Sequence, residues 1–274
     1  MMSNDPPIRQ RDYGALREGY SKGVRRFEMG SIAVYALAMA WLALRIAPRI
    51  AVAPWLVLTA FMLGYVLADF ISGVVHWAAD TWGTPECPIV GQALIRPFRE
   101  HHVDQKEITR HDFVETNGNN CFVSIAPTIG AALIPQQGPI GLFAATLVFS
   151  MTLWVLFTNQ FHKWAHLDSP PPVIGWLQRM HLILPRDHHA VHHAAPYAKY
   201  YCITVGWLNE PLYRVRFFQT LERAITAATG LLPREDDIGK QAALAVAAAD
   251  APAPLRLPRL EVSEAGRSPL AQPD

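Results

Sequence analysis

The histidines of this chain are the residues whose type and spacing could support chemistry. All 11 lie between His76 and His193, and most of them occur in pairs. His162 and His166 are four residues apart, a spacing that places two imidazoles on one face of a helix. Because neutral imidazole binds zinc, copper, iron and nickel, this spacing predicts a metal site.

The last histidine cluster could serve two metals. It has adjacent histidines at positions 188 and 189 and again at 192 and 193, so each has a partner four residues away. These two i, i+4 pairs lie on adjacent faces of one helix turn. A further adjacent pair lies in a polar connector. The predicted metal ligands are His76, His101, His102, His162, His166, His189, His192 and His193.

A second set of residues could bind a metal or orient one of its ligands. Ligating imidazoles usually donate their other N–H to a carboxylate or a carbonyl. Asp80 follows His76 by four residues and could ligate, orient a histidine or cap a helix. Asn159 could orient a metal-bound water. The whole set consists of Asp80, His111, Asn159, His181, Asp187 and His188.

The number of histidines favours two metals over one. A zinc site commonly uses three or four protein ligands, fewer than these clusters offer, whereas two irons would use them. HExxH, GxGxxG and GxSxG are absent, so a zinc protease, a dinucleotide-dependent dehydrogenase and a serine hydrolase gain no support. Another zinc hydrolase, a haem protein and a metal transporter or sensor stay open, although a transporter would need polar residues inside its spans.

The composition indicates a membrane protein. The chain is 51% hydrophobic and 17% charged, against about 25% charged for a typical soluble domain. Its apolar residues form four runs, 29–47, 50–75, 121–134 and 140–161. The third run is short for a hydrocarbon core of about 30 Å and needs help from its flanks. We therefore expect an all-α integral membrane protein with about four transmembrane helices in two hairpins.

The distribution of Lys and Arg predicts the orientation. They concentrate before the first run, in the connector that precedes the third, and after the fourth. Positive residues favour the cytoplasmic side, which would place every histidine in a cytoplasmic cap. The amphipathic stretches Val173–Leu184 and Trp207–Leu221 are expected to be interfacial helices.

Composition also suggests how the chain is divided and where it resides. Residues 1–28 form a polar segment, 29–230 the membrane domain, and 231–274 an Ala/Pro-rich tail predicted to be disordered. A net charge of +1 without a basic stripe gives no indication of nucleic-acid binding. The Ala/Arg/Pro-rich composition favours a bacterial inner membrane over the endoplasmic reticulum.

Several motifs resemble those of one known family, the plasmanylethanolamine desaturases. The matching segments lie in order between Gly73 and Tyr213, and they are long enough to be specific. A plant chloroplast desaturase that acts on phosphatidylglycerol belongs to the same wider group. The segments are His76–Gly83, Arg96–His102, Thr109–Phe113 leading into Glu115–Gly118, Asn159–His166, Leu184–His193 and Cys202–Asn209.

The resemblance implies an iron enzyme that uses O2. Such an enzyme removes two hydrogens from the first two carbons of the O-alkyl chain of an ether phospholipid, and the product is a vinyl ether, a plasmalogen. Two iron ions and a separate electron donor, such as cytochrome b5 or a ferredoxin with its reductase, would be required. A fatty-acyl desaturase or hydroxylase acting on an ester-linked lipid is the alternative, because it would share the same metal site.

Overall fold

Helices are the regular elements in the part of the chain that the structure describes. The computed structural model describes residues 20–88, 91 and 95–249. Within those residues the elements are α1 (Lys22–Ile50), α2 (Pro54–Thr81), α3 (Arg96–Val103), α4 (Glu107–Arg110), α5 (Phe113–Leu133), α6 (Pro139–Ala165), α7 (Pro172–Arg179), α8 (Arg186–Ala190), α9 (Asn209–Arg214), α10 (Phe217–Thr229), α11 (Glu235–Ile238) and α12 (Lys240–Ala249). The predicted all-α class is confirmed.

Three of the long helices are long and apolar enough to cross a membrane, namely α1, α2 and α6. They contain the first, second and fourth apolar runs. The third run lies in α5, which is not among them, because Asn117, Asn119 and Asn120 lower the hydropathy of its first half. Membrane character is thus supported by three helices, and a fourth span stays a prediction.

The four long helices pair in an order that differs from their order along the chain. α2 packs along α6, α1 packs along α5, and α5 packs along α6. By contrast, α1 and α2 touch little, although only residues 51–53 separate them. The close approach of α2 to α6 requires Gly64, because a Cβ there would lie 2.5 Å from the Leu147 carbonyl oxygen.

Polar contacts hold the N-terminal ends of α1 and α5 beside each other. The Asp112 carboxylate caps α5 by accepting the backbone N–H groups of Val114 and Glu115. The same carboxylate forms an ion pair with Arg25 of α1 at 2.7 Å. A helix N-terminus favours negative charge, so one aspartate both starts α5 and holds it against α1.

A segment without regular structure, residues 199–208, crosses the histidine-bearing end of α2, and its central residues 201–206 are buried. Side chains from Tyr201 to Val205 are at most 2% exposed. Buried backbone groups need partners, and Asp69 of α2 supplies them. Its carboxylate accepts the N–H groups of Val205 and Gly206 at 2.9 Å and that of Leu208 at 3.2 Å. The interruption of the second apolar run by Asp69 is therefore a structural anchor.

The C-terminal part differs from the sequence-based expectation. The stretch predicted as one helix, Trp207–Leu221, forms α9 and α10, which are separated at Arg216 with a φ of 55°. The other stretch, Val173–Leu184, is helical only to Arg179. Residues 231–249 were expected to lack structure, yet they contain α11 and α12. Residues 1–19 of the polar segment and 250–274 of the tail lie outside the described residues.

One buried ion pair explains why the start of the tail is ordered. Arg234 is 2% exposed and pairs with Glu222 of α10 at 2.6 Å. Its other guanidinium nitrogen donates to the Tyr201 hydroxyl at 3.1 Å, and its backbone N–H donates to the Thr81 carbonyl. A buried charge is tolerated only when it is paired in this way. The tail is therefore fastened to α2, α10 and the 199–208 segment.

Replacing Asp69 with alanine would leave three backbone N–H groups without their acceptor. An unpaired buried donor costs about 1–3 kcal/mol, so Asp69→Ala should lower the free energy of unfolding by roughly 3 kcal/mol or more. Thermal unfolding in detergent would show a fall in Tm of roughly 6 °C or more. Asp236→Ala removes an exposed carboxylate and should leave Tm unchanged. Equal Tm values for the two variants would contradict this role of Asp69.

Candidate metal centre

Five imidazoles converge in the first of two clusters, which we call site A. Their Nε2 atoms approach one another closely: His162 and His189 at 2.8 Å, His166 and His189 at 2.9 Å, and His101 and His193 at 3.1 Å. Ligands at right angles on a metal with bonds of about 2.1 Å are about 3 Å apart. Site A consists of His101, His162, His166, His189 and His193.

Three imidazoles and a carboxylate form the second cluster, site B. The Asp80 Oδ2 atom lies 3.2 Å from the Nε2 atom of His76, 3.4 Å from that of His192 and 3.7 Å from that of His102. His102 and His192 approach each other at 3.0 Å between Nε2 atoms. All four side chains are buried. Site B therefore offers three nitrogens and at least one oxygen to an ion.

Sites A and B lie side by side because, in two pairs of adjacent histidines, one histidine belongs to each site. His101 belongs to site A and His102 to site B, and both lie in the last turn of α3. His192 belongs to site B and His193 to site A, just after α8. The ring centroids of His192 and His193 are 5.3 Å apart. This arrangement suits two metal ions in neighbouring sites.

The backbone orients two imidazoles of site B. The Nδ1 atom of His76 lies 3.0 Å from the Tyr201 carbonyl oxygen, and that of His192 lies 2.9 Å from the Lys199 carbonyl oxygen. A carbonyl accepts only from an N–H, so each Nδ1 carries the proton and each Nε2 presents its lone pair to the site. Both carbonyls belong to the 199–208 segment.

The donor set fits metal ions on two grounds. Five converging Nε2 atoms of neutral imidazoles cannot all be satisfied by hydrogen bonds among themselves. Each such bond needs one protonated and one unprotonated nitrogen, so five atoms cannot all be paired. In site B, both oxygens of Asp80 are buried and accept no hydrogen bond from any described residue. An unpaired buried carboxylate is costly, and a cation between it and the three imidazoles would remove that cost.

Burial keeps these imidazoles neutral and therefore able to bind metal. Desolvation lowers the pKa of His192 to about 4 and that of His166 to about 3, where the nearby Lys106 ammonium adds to the effect. The pKa values of His101 and His189 also lie well below the usual range, first because of burial and then because of neighbouring imidazoles. Metal ligation requires the deprotonated nitrogen, which these environments favour.

Comparison with known proteins places this centre in a family. The lipid desaturase domain matches residues 65–236, which include every residue of sites A and B. This chain belongs to the lipid desaturase family. The resemblance noted in the sequence is thereby confirmed, and the family is one of oxidoreductases, since desaturation is an oxidation.

Three relatives illustrate the breadth of the lipid desaturase family. A plasmanylethanolamine desaturase of Myxococcus xanthus is 56% identical over 250 residues, which cover 90% of this chain and 89% of that protein. Plasmanylethanolamine desaturase 1 of Mus musculus is 42% identical over 254 residues, covering 86% and 93%. The chloroplastic fatty acid desaturase 4 of Arabidopsis thaliana is 37% identical over 178 residues, covering 62% and 52%. No solved structure matches the chain.

All eight histidines predicted as ligands lie in site A or site B. Of the second predicted set, Asp80 lies in site B, while the other five residues lie in neither site. His188 hydrogen-bonds to Asn209 and stacks on Tyr200. His111 lies near Glu107 and Glu115.

The remaining members of that second set have other surroundings. Asn159 donates to the Thr116 carbonyl and to Asn120, so it joins α6 to α5. The His181 carbonyl accepts the indole N–H of Trp207. Asp187 lies in the first turn of α8, where negative charge favours the helix. Asn159 and His181 therefore have packing contacts, and Asp187 lies at the start of a short helix.

Sequence reasoning missed two residues that help Asp69 to hold the 199–208 segment. Asn209 binds both backbone groups of Cys202, and the Ser72 hydroxyl accepts the N–H of Ile203. Their side chains are ordinary polar residues with no spacing that would reveal a role. The Cys202–Asn209 motif is the one sequence feature that included any of them.

Two adjacent histidines allow a direct test of site A. His189→Ala removes an imidazole from site A, whereas His188→Ala removes a histidine outside both sites. After dialysis against a chelator, we expect His189→Ala to retain about one metal ion fewer per chain than the parent, as measured by mass spectrometry of the elements. The His188→Ala protein should retain the parental amount. Equal loss from both variants would refute the assignment of site A.

Asp80 gives a matching test of site B. Asp80→Asn keeps the shape of the side chain and removes its charge, so site B should lose most of its affinity for a divalent ion. Asp187→Asn removes a carboxylate close to the same histidines in sequence but outside both sites. We expect about half of the bound metal to be lost from the first variant and none from the second. Full metal content in Asp80→Asn would show that this carboxylate is not a ligand.

Proposed function

We propose that this protein is a plasmanylethanolamine desaturase. It introduces a 1'-2' double bond into the O-alkyl chain of an ether phospholipid, with O2 as the oxidant, and forms the vinyl ether of a plasmalogen. The observation that carries this proposal is identity of 56% and 42%, over most of the chain, with a bacterial and a mouse protein that bear that name. The paired histidine sites agree with it.

Sites A and B hold two iron ions in this proposal. Iron with molecular oxygen supplies an oxidant strong enough to cleave an alkyl C–H bond, which is not acidic enough for a general base. The histidines of site A and the three histidines of site B with Asp80 are the ligands. Their burial, between 0 and 7% exposure for His76, His162, His166 and His192, keeps bulk water away from the reacting carbons.

Residues of the chain orient the ligands and enclose them. The carbonyls of Tyr201 and Lys199 fix the rings of His76 and His192, so the nitrogens facing the metal do not rotate during turnover. The aromatic rings of Phe98 and Tyr197 cover site B, with centroids 4.8 Å from His76 and 4.4 Å from His102. A rigid and enclosed centre limits reactions with anything other than the bound lipid.

The overall reaction requires a separate electron donor. Reduction of O2 to two water molecules takes four electrons and four protons. The alkyl chain supplies two electrons and two protons as it becomes a vinyl ether, so the other two of each come from outside. A cytochrome b5 or a ferredoxin with its reductase is suited to this task.

The proposed placement in the membrane is supported by the three apolar helices and by the distribution of Lys and Arg along the sequence. α1, α2, α5 and α6 span a bacterial inner membrane as two hairpins, and sites A and B lie at the cytoplasmic surface. The alkyl chain enters from the bilayer, and the interfacial segments α7, α9 and α10 hold the headgroup nearby. Attack close to the headgroup suits metals that lie at the surface.

The lipid product provides the test. The chain would be expressed in cells that make O-alkyl phospholipids but lack plasmalogens. We expect acid-labile phospholipids two hydrogens lighter than the alkyl lipids, detected by mass spectrometry before and after acid treatment. His192→Ala should abolish this product, because His192 lies in site B with no exposed surface. His111→Ala, outside both sites, should retain most of it.

A change in ester-linked acyl chains, without vinyl ethers, would overturn the proposed substrate. It would favour the alternative, a fatty-acyl desaturase or hydroxylase, which the name of the Arabidopsis relative supports. Membrane abundance of each variant, measured by immunoblot, separates a loss of chemistry from a loss of protein.

A further inference from the structure

A cleft opens at the end of the bundle opposite the histidines. It has a volume of about 310 Å³ and lies between the end of α1 and the turn that joins α5 to α6. Along α2, His76 lies 22 residues from Pro54, which corresponds to about 33 Å of helix. The cleft is therefore remote from sites A and B. Its lining residues are Leu44, Arg45, Pro48, Arg49, Gln136 and Gln137.

Two arginines give this cleft an uncompensated positive charge. Neither Arg45 nor Arg49 has a carboxylate partner among the described residues, and residues 45–55 and 134–141 contain no Asp or Glu. Arg45 makes one long hydrogen bond, from Nη2 to the Ile134 carbonyl at 3.4 Å, while its buried Nε has no described partner. Guanidinium groups prefer planar, bidentate contacts with phosphate or carboxylate.

Gln136 provides an independent indication of a ligand. Its side chain is 3% exposed, yet neither its amide nitrogen nor its amide oxygen has a hydrogen-bond partner among the described residues. Leaving such a group unpaired costs free energy. A phosphoryl oxygen would accept from the amide nitrogen, and a headgroup hydroxyl would donate to the amide oxygen.

The surroundings of the cleft indicate a ligand with apolar chains. Leu44 is 74% exposed and Leu133 is 66% exposed, and Trp55 is 77% exposed at the start of α2. Tryptophan is enriched where a membrane meets water. Apolar side chains next to two arginines match a lipid whose chains lie along the helices and whose headgroup lies in the cleft.

We propose that this cleft binds the headgroup of an anionic phospholipid in the leaflet opposite the histidines. Arg45 and Arg49 contact the phosphate. The amide nitrogen of Gln136 donates to a phosphoryl oxygen, and its amide oxygen accepts from a hydroxyl of the headgroup. The bound lipid fills the space between α1 and the α5–α6 turn. It thus ties together two helices, α1 and α5, at the end where no histidine cluster joins them.

The test compares lipids by thermal unfolding in detergent. Phosphatidylglycerol should raise the Tm of the parent protein by several degrees, and zwitterionic phosphatidylcholine should raise it by less than half as much. The double variant Arg45→Gln/Arg49→Gln should lose at least two thirds of the phosphatidylglycerol shift. The control Arg26→Gln removes an exposed arginine near the opposite end of α1 and should keep the whole shift.

The single variant Arg49→Gln is tested as well, in case the double variant does not fold. It should lose about half of the Tm shift that phosphatidylglycerol causes. Inorganic phosphate at the same concentration should give no shift; a shift equal to that of phosphatidylglycerol would mean a site for free anions and would overturn the lipid assignment. The proposal also fails if both lipids stabilise the protein equally, or if the arginine variants keep the full shift. Bound metal should be unchanged in every variant.

Discussion

The Asp69 carboxylate accepts three backbone N–H groups from the segment that closes over site B, and much of the centre depends on this contact. The central part of the segment, residues 201–206, is buried without being helical, so its backbone groups need other partners, which side chains supply. Once it is fixed, its carbonyls at Tyr201 and Lys199 orient His76 and His192. An acidic residue inside an apolar helix thus acts on the candidate metal centre through the backbone of the 199–208 segment.

The histidines form two sites rather than one because two pairs of adjacent histidines lie at the ends of short helices. Neighbouring residues on a helix point about 100° apart, so His101 and His102 cannot serve the same ion easily, but they can serve two neighbouring ions. The turn after α8 does the same with His192 and His193. Long helices α2 and α6 then supply the i, i+4 pairs His76/Asp80 and His162/His166. The long helices α2 and α6 hold these pairs rigidly. The short α3 and the turn after α8 each contribute one histidine to site A and one to site B, which places the two sites side by side.

Local features of the site could be predicted from sequence, and distant ones could not. The eight histidines of sites A and B have spacings of one and four residues, which a helix converts into shared or adjacent faces, but the same spacings also include His188, which lies in neither site. Asp80 stayed ambiguous because spacing does not tell whether an oxygen faces a metal. The partners of Asp69 lie 136 or more positions along the chain, beyond any local pattern. Likewise, α11 and α12 were missed because one buried arginine, Arg234, anchors them without apolar periodicity.

Two of the three asparagines that weaken the hydropathy of α5, Asn117 and Asn120, have contacts within the bundle, whereas Asn119 is exposed. Asn120 donates to the Val155 carbonyl of α6, and Asn159 of α6 donates back to the Thr116 carbonyl of α5. Asn117 is fully buried and donates within its own helix. The amides of Asn120 and Asn159 find partners inside the bundle, so they do not prevent α5 from lying in an apolar environment. Hydropathy averages over all faces of a helix, whereas the membrane contacts only one. A helix flanked by α1 and α6 can therefore be polar on its inner face close to the histidines and still belong to a membrane bundle.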